Sequence, residues 1–448
     1  MKDDDVKLTE VISVALAQET AITSTQVVRS GNPSAQIVSE GEFQSYECFR
    51  PTDMAFNPVS SSFLEHSTKF GWFYSQPRIQ WHNGKNCLVY KTRHKRTLLW
   101  DLDMFLAVDI CGLSSFGYLL VKNIICRNGS TDKISLIHSL MILFFGMLNI
   151  HGVWLHVMTA FYGEDAVRGW NGLRRLERDE SSDKSSKPTS DRNLSLILTL
   201  IVRMFAVYPF LQIPSELFMN FDPYFYVIQD LRIFLNLCFG QTSILHFFRL
   251  IILTVTIYEI SRIFALLILI FISTLAILAR LNSAMVQKFA NTRKIFDSIR
   301  TMEIITLNLQ LFAPFQELGT FAVMSVGLVL FVIANFVTIA LTRLPFPVYI
   351  FFPSVSVITG AIINATIPLA QAVHENSTEM LRNWGLTGLN LGQDAKLLRR
   401  KIKSARSLRL NVGLAGFRMF YFNRETKVRY FEAVITYTLT MLLGLREG

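Results

Sequence analysis

Apolar positions in this chain come in blocks far longer than the elements of a soluble domain. Residues 98–121, 134–161, 194–218, 318–341 and 348–372 are each nearly continuous apolar runs. Each has the roughly 20 residues that a helix needs to cross a bilayer. Residues 245–281 form a run of about 37, interrupted by Arg249, Glu259 and Arg262, and read as one bent span or two. A last run, residues 430–445, is about sixteen long and carries Thr436, Thr438 and Thr440.

Polar blocks separate these runs. Residues 1–60 are rich in Ser, Thr, Asp and Glu without sustained periodicity, and predict a disordered arm. Three aspartates precede the first short apolar stretch, so no signal peptide is predicted. Residues 61–97 are aromatic and then basic, as in an interfacial segment with a charged anchor. The charged stretch 163–193 reads as a solvated loop. Two polar stretches keep a helical apolar stripe: Met285, Phe289, Phe296, Ile299 and Met302 within 283–317, and Leu398, Ile402, Ala405 and Leu408 within 373–429. These stripes predict packing within the protein or against another subunit. The second also suits a helix lying on anionic lipid.

Composition agrees with a membrane protein. Of 448 residues, 17% are charged, against about 25% in an average soluble protein. The mean hydropathy is +0.34. The net charge of +10 is explained by basic loops on the inner face, and no zinc-finger or other nucleic-acid spacing accompanies it.

Charge also sets the topology. Lys85, Lys91, Arg93, Lys95 and Arg96 precede the first run, and residues 373–429 hold twelve Lys or Arg. If both segments are cytoplasmic, an even number of spans lies between them, which counts residues 245–281 once. The reading is an all-α integral membrane protein with seven transmembrane helices, a cytoplasmic N-terminus and an extracellular C-terminus. Spans one to four fall in 98–282, five and six in 318–372, and a short terminal span in 430–448. Asn128, in an Asn-Gly-Ser sequon, is then an external glycosylation candidate. Cys126 and Cys238 also fall outside, as a disulfide or as two thiols.

Several residues inside the runs carry chemistry. Asp109 and Arg203 are ionisable within apolar segments, and are either functional groups or a structural pair. His138, His151 and His156 share the second run, but the five-residue offset of the last two suits no shared metal on a helix. No metal or cofactor is implied. Trp154, Tyr162, Tyr208 and Phe210 are candidates to line a ligand pocket. Thr436, Thr440 and Leu443 share a helical face next to Gly444. That face either lines water or holds threonines bonded to their own helix carbonyls.

The C-terminal ninety residues resemble the insect gustatory and odorant receptor superfamily. A basic helix leads to the aromatic patch GLAGFRMFYFNRETKV and a terminal helix with Thr436-Tyr437. The family ends on Thr-Tyr, five apolar residues and Gln-Phe. Here TLTML fills the five positions and Leu443-Gly444 replaces Gln-Phe, while Asn423 stands where an Asp is usual. The resemblance, through the layout of 85–448, implies a divergent arthropod member. It implies a ligand-gated, non-selective cation channel in the plasma membrane, a homo- or hetero-tetramer embedded in lipid. It places a small-molecule tastant or odorant pocket among the second to sixth spans. Thr436, Thr440, Leu443 and Gly444 would face a central pore.

Other classes are less well served. A G-protein-coupled receptor would need an external N-terminus and the Asp-Arg-Tyr and Asn-Pro-x-x-Tyr motifs, which are absent. A transporter would show broken helices repeated in two halves. An enzyme would need a clustered acid, base or metal set, and no such motif occurs.

Overall fold

A computed structural model of the chain describes residues 58–92, 94–126, 136–181, 190–236, 239–287, 292–341, 346–387, 395–414 and 416–447. The arm up to residue 57, Asn128 and Cys238 lie outside the described residues, as does the side chain of Cys126. Helix α1 is Pro58–Phe70, followed by a hairpin of β1 (Ile79–His82) and β2 (Cys87–Tyr90). Helix α2 (Lys95–Asp103) runs through a π-helical stretch, Met104–Gly112, into α3 (Leu113–Cys126). Then come α4 (Leu136–Ser181), α5 (Ser190–Met219), α6 (Pro223–Leu235), α7 (Phe239–Gln287), α8 (Thr292–Ala340) and α9 (Phe346–Thr387). The chain closes with α10 (Ala395–Ser404), a hairpin of β3 (Asn411–Leu414) and β4 (Phe417–Tyr421), and α11 (Arg424–Glu447).

Among the described residues, six helical segments are long and apolar enough to cross a membrane, which makes this a multi-pass membrane protein. Helix α11 is not among them, because Arg429 and Glu432 sit beside its short apolar stretch. Helix α7 answers the question of residues 245–281. It is one uninterrupted helix of 49 residues. At 1.5 Å per residue it reaches about 74 Å, well beyond a hydrocarbon core of about 30 Å. It is also the central post: 83% of its most apolar window is buried, against 22% to 56% in the other five. A helix apolar on every face is stable only with protein on every face.

The charges that interrupt the α7 run are paired. Glu259 and Arg262, three apart on the helix and almost fully buried, form an ion pair at 2.5 Å. Glu259 also accepts from Ser75 Oγ (2.9 Å) and Trp100 Nε1 (3.0 Å). Arg262 donates to the Ser75 carbonyl at 2.8 Å. The His66 ring donates to the Arg262 carbonyl at 3.0 Å. So one buried pair ties the segment before the first span to the centre of the bundle. Arg249, nearer the start of α7, pairs with Asp222, the residue whose side chain caps α6 by accepting from Phe225 N at 3.0 Å.

Several sequence boundaries move. Residues 163–181 are no loop but the continuation of α4. Ala166, Val167, Trp170 and Leu173 are buried there at helical spacing, and Arg174 and Glu177, buried beside them, pair with each other. Residues 283–287 belong to α7, residues 292–317 form one helix, α8, with the fifth span, and α9 runs on past residue 372. Helix α4 can lie close along α8 because Gly169 has no side chain: a Cβ there would stand 2.6 Å from the Asn308 carbonyl oxygen. The two amphipathic stripes pack inside the chain: Leu398, Ile402 and Leu408 join Ile299 and Met302 in one core, and Lys401 Nζ lies 5.8 Å from the Phe296 ring centre. The two hairpins are the strands that an all-α reading omitted.

Glu259→Gln leaves the Arg262 charge buried without its counter-charge. It is expected to cost about 3–5 kcal/mol, read as a lower thermal midpoint of the purified protein in nanodiscs. Burial also pushes the His66 imidazole down from its ordinary 6.5 to about 4. The unfolded chain therefore binds this proton more readily, and stability is lost as pH falls from 6.5 toward 4. The midpoint should drop between pH 7 and pH 5, and His66→Asn should flatten that dependence.

Candidate functional site

Between α4, α5, α7, α8 and α9 lies an open-sided cavity. It holds about 1110 Å³ of atom-free space, its open side included. Phe144, Phe145, Phe205, Phe264 and Phe351 line it with aliphatic side chains from α7, α8 and α9. No Asp, Glu, Lys or Arg is among the described residues that line it.

The helices around it are locally irregular, and α7 compensates. Pro209 lies inside α5 and has no N–H to give the carbonyl of Phe205, four residues back. Ser261 Oγ of α7 donates to that carbonyl at 2.6 Å. In the π-helical stretch, the Ala107 carbonyl accepts from Thr256 Oγ1 at 3.3 Å. A freed carbonyl in a membrane needs such a donor from a neighbour. Tyr208 is settled too, with its hydroxyl 2.6 Å from Ser354 Oγ.

Three lining side chains are left over. Asn149, His151 and Gln212 are buried to 1%, 2% and 7% exposure. Asn149 Oδ1, both ring nitrogens of His151 and Gln212 Nε2 have no partner among the described residues. Each such group costs about 1–3 kcal/mol in a dry interior. Three such side chains share this cavity.

The terminal helix divides lengthwise. Tyr430, Val434 and Thr438 are buried, and the Tyr430 hydroxyl donates to the Met324 carbonyl of α8 at 3.3 Å. Thr436, Tyr437, Thr440, Leu443 and Gly444 are exposed on the other side. The hydroxyls of Thr438 and Thr440 bond the carbonyls of Val434 and Thr436, at 2.7 and 2.9 Å. Thr440 is thus satisfied by its own helix and still outward-facing. Asn423 caps α11, accepting from the backbone N–H groups of Glu425 (3.1 Å) and Thr426 (3.0 Å). An Asp would cap equally well.

No family model matches the chain, and no curated protein does. Two solved structures of the insect olfactory receptor OR5 from Machilis hrabei are similar. The structure in complex with eugenol aligns with a TM-score of 0.56 at 9% identity, covering 86% of this chain and 97% of the receptor. The structure described without a ligand aligns with a TM-score of 0.50 at 11% identity, over the same shares. The chain has the fold of these olfactory receptors.

Within that fold the sequence candidates scatter. Of the four pocket candidates, Tyr208 alone lines the cavity. Trp154 donates its indole N–H to the Leu318 carbonyl at 3.3 Å. Phe210 is 61% exposed and Tyr162 is 37% exposed, so both face outward. Asp109 and Arg203 do not meet. Asp109, on the π-helical stretch, pairs with His156 at 2.9 Å. Arg203, exposed on α5, reaches Glu65 of α1 at 3.0 Å. The other aspartates of the first span are also engaged, Asp101 by Arg78 and Asp103 by the Tyr74 hydroxyl. Gln212 and Asn149 escaped the sequence reading, and His151 was weighed only as a metal ligand. Their signal was polarity inside an apolar run.

Ile358 lines the cavity from α9 and is half-buried. Ile358→Trp fills the space and is expected to abolish stabilisation of the purified protein by small apolar molecules. The unliganded thermal midpoint should stay nearly unchanged.

Proposed function

We propose that this chain is a divergent member of the arthropod gustatory and odorant receptor superfamily, acting as a ligand-gated, non-selective cation channel. The observation that carries this reading is the apolar cavity between the second to sixth spans, on a fold shared with olfactory receptors. One of those neighbours is in complex with eugenol, a small, mostly apolar molecule. By that analogy the cavity takes a tastant or odorant, and its occupation biases the packing of the surrounding helices.

The channel half of the reading rests on α11. One stripe of this helix holds to α8 and α9, and the opposite face is left to other subunits and to water. In a tetramer with α11 at the axis, Thr436, Thr440, Leu443 and Gly444 line the path. Threonine hydroxyls and a glycine make that lining wetter than an apolar wall. With Leu443-Gly444 in place of Gln-Phe, no amide ring narrows it. The basic segments 85–97 and 373–429 support a cytoplasmic N-terminus and an external C-terminus, and a receptor for external ligands belongs in the plasma membrane.

Expression with a panel of small organic ligands should give cation currents that persist when G-protein signalling is blocked. Leu443→Lys adds a positive charge to the path and should cut the current severalfold at unchanged surface expression. Currents that vanish with G-protein block, or that ignore Leu443→Lys, would overturn the channel reading.

A further inference from the structure

We infer that the cavity selects a neutral, mostly apolar molecule carrying a hydroxyl group, held by His151 and Gln212 with Asn149. This rests on the reading of the cavity as the ligand site and goes beyond it to the ligand's chemical class.

The selection follows from what the cavity leaves unpaired. Tyr208, Thr256 and Ser261 line it but are bonded within the protein. Asn149, His151 and Gln212 are more than nine-tenths buried, and Asn149 Oδ1, both His151 ring nitrogens and Gln212 Nε2 have no partner among the described residues. A neutral imidazole offers one donor and one acceptor, the Gln212 amide nitrogen is a donor, and the Asn149 oxygen is an acceptor. The cavity therefore presents both kinds of group. A hydroxyl donates once and accepts as well, so it answers both. An ether or a ketone only accepts, and leaves Asn149 Oδ1 and one His151 nitrogen unpaired. A hydrocarbon leaves all of them unpaired. A carboxylate or an ammonium would enter a site whose described lining holds no charge to balance it. The groups also sit on different helices, His151 and Asn149 on α4 and Gln212 on α5. A hydroxyl shared between them links the second and third spans, which an apolar guest of the same size does not.

The test uses the full chain in nanodiscs and two matched series: thymol, its methyl ether and p-cymene; and octanol, methyl octyl ether and octane. The hydroxyl member of a series should bind about tenfold or more tighter than its hydrocarbon, with the ether between the two. His151→Phe and Gln212→Leu should bring the alcohol down to the hydrocarbon's affinity and leave the hydrocarbon's unchanged. Because each removes an unpartnered buried polar group, each should also raise the unliganded thermal midpoint. His151→Gln should keep part of the preference. If hydroxyl and hydrocarbon bind equally to the unmodified chain, the hydroxyl inference falls and the cavity reading stands. If His151→Phe and Gln212→Leu lower the midpoint, these residues are structural and the inference falls. If no member of either series binds, the cavity reading falls with it.

Discussion

A buried ion pair holds this molecule in register. Glu259 and Arg262 sit at the middle of the most enclosed helix, and their charge is affordable there only because each has further partners. Those partners come from Ser75 and Trp100, on the polypeptide before and at the start of the first span. The segment that composition described as interfacial is thereby drawn against α5 and α7. Once it is fixed, Arg78 pairs with Asp101 and the Tyr74 hydroxyl donates to Asp103, so these acidic residues of the first span are engaged in turn. Removing the pair would leave several strong hydrogen-bonding groups in a dry interior at once.

The same central helix sustains the irregular backbone around the cavity. Thr256 and Ser261 supply donors to carbonyls of the π-helical stretch and of the proline-broken α5. Both are short side chains that fit between tightly packed helices. With them spent on the protein, Asn149 and His151 of α4 and Gln212 of α5 are among the groups left to meet a guest through hydrogen bonds. The cavity's polarity is thus a residue of fold satisfaction: what α7 gives to its neighbours, it cannot give to a ligand.

The terminal helix shows the opposite economy. Its inner stripe is settled by packing on α8 and α9, with Tyr430 reaching a carbonyl of α8 and Phe431 lying against Phe331. Its outer stripe, Ile435, Thr436, Leu439, Thr440 and Leu443, is uncommitted within one chain. In the proposed tetramer this stripe would face the shared axis.

The long apolar runs determined by themselves that this is a multi-pass helical membrane protein, because a bilayer demands length and continuity that nothing else does. The helical stripes at Ile299 and Leu398 likewise foretold packing, since a periodic apolar face must be covered. The sequence did not decide which charges meet. Asp109 and Arg203 looked like partners from their place in two apolar runs, yet each found another residue, His156 and Glu65, because pairing depends on rotation about the helix axes. Nor did it decide the cavity. Aromatic residues occur in every run, and only tertiary packing separated Tyr208, which faces inward, from Phe210, two positions away, which faces out. A polar residue in an apolar run is visible in a sequence; whether the fold leaves it without a partner is known only when every neighbour has been placed.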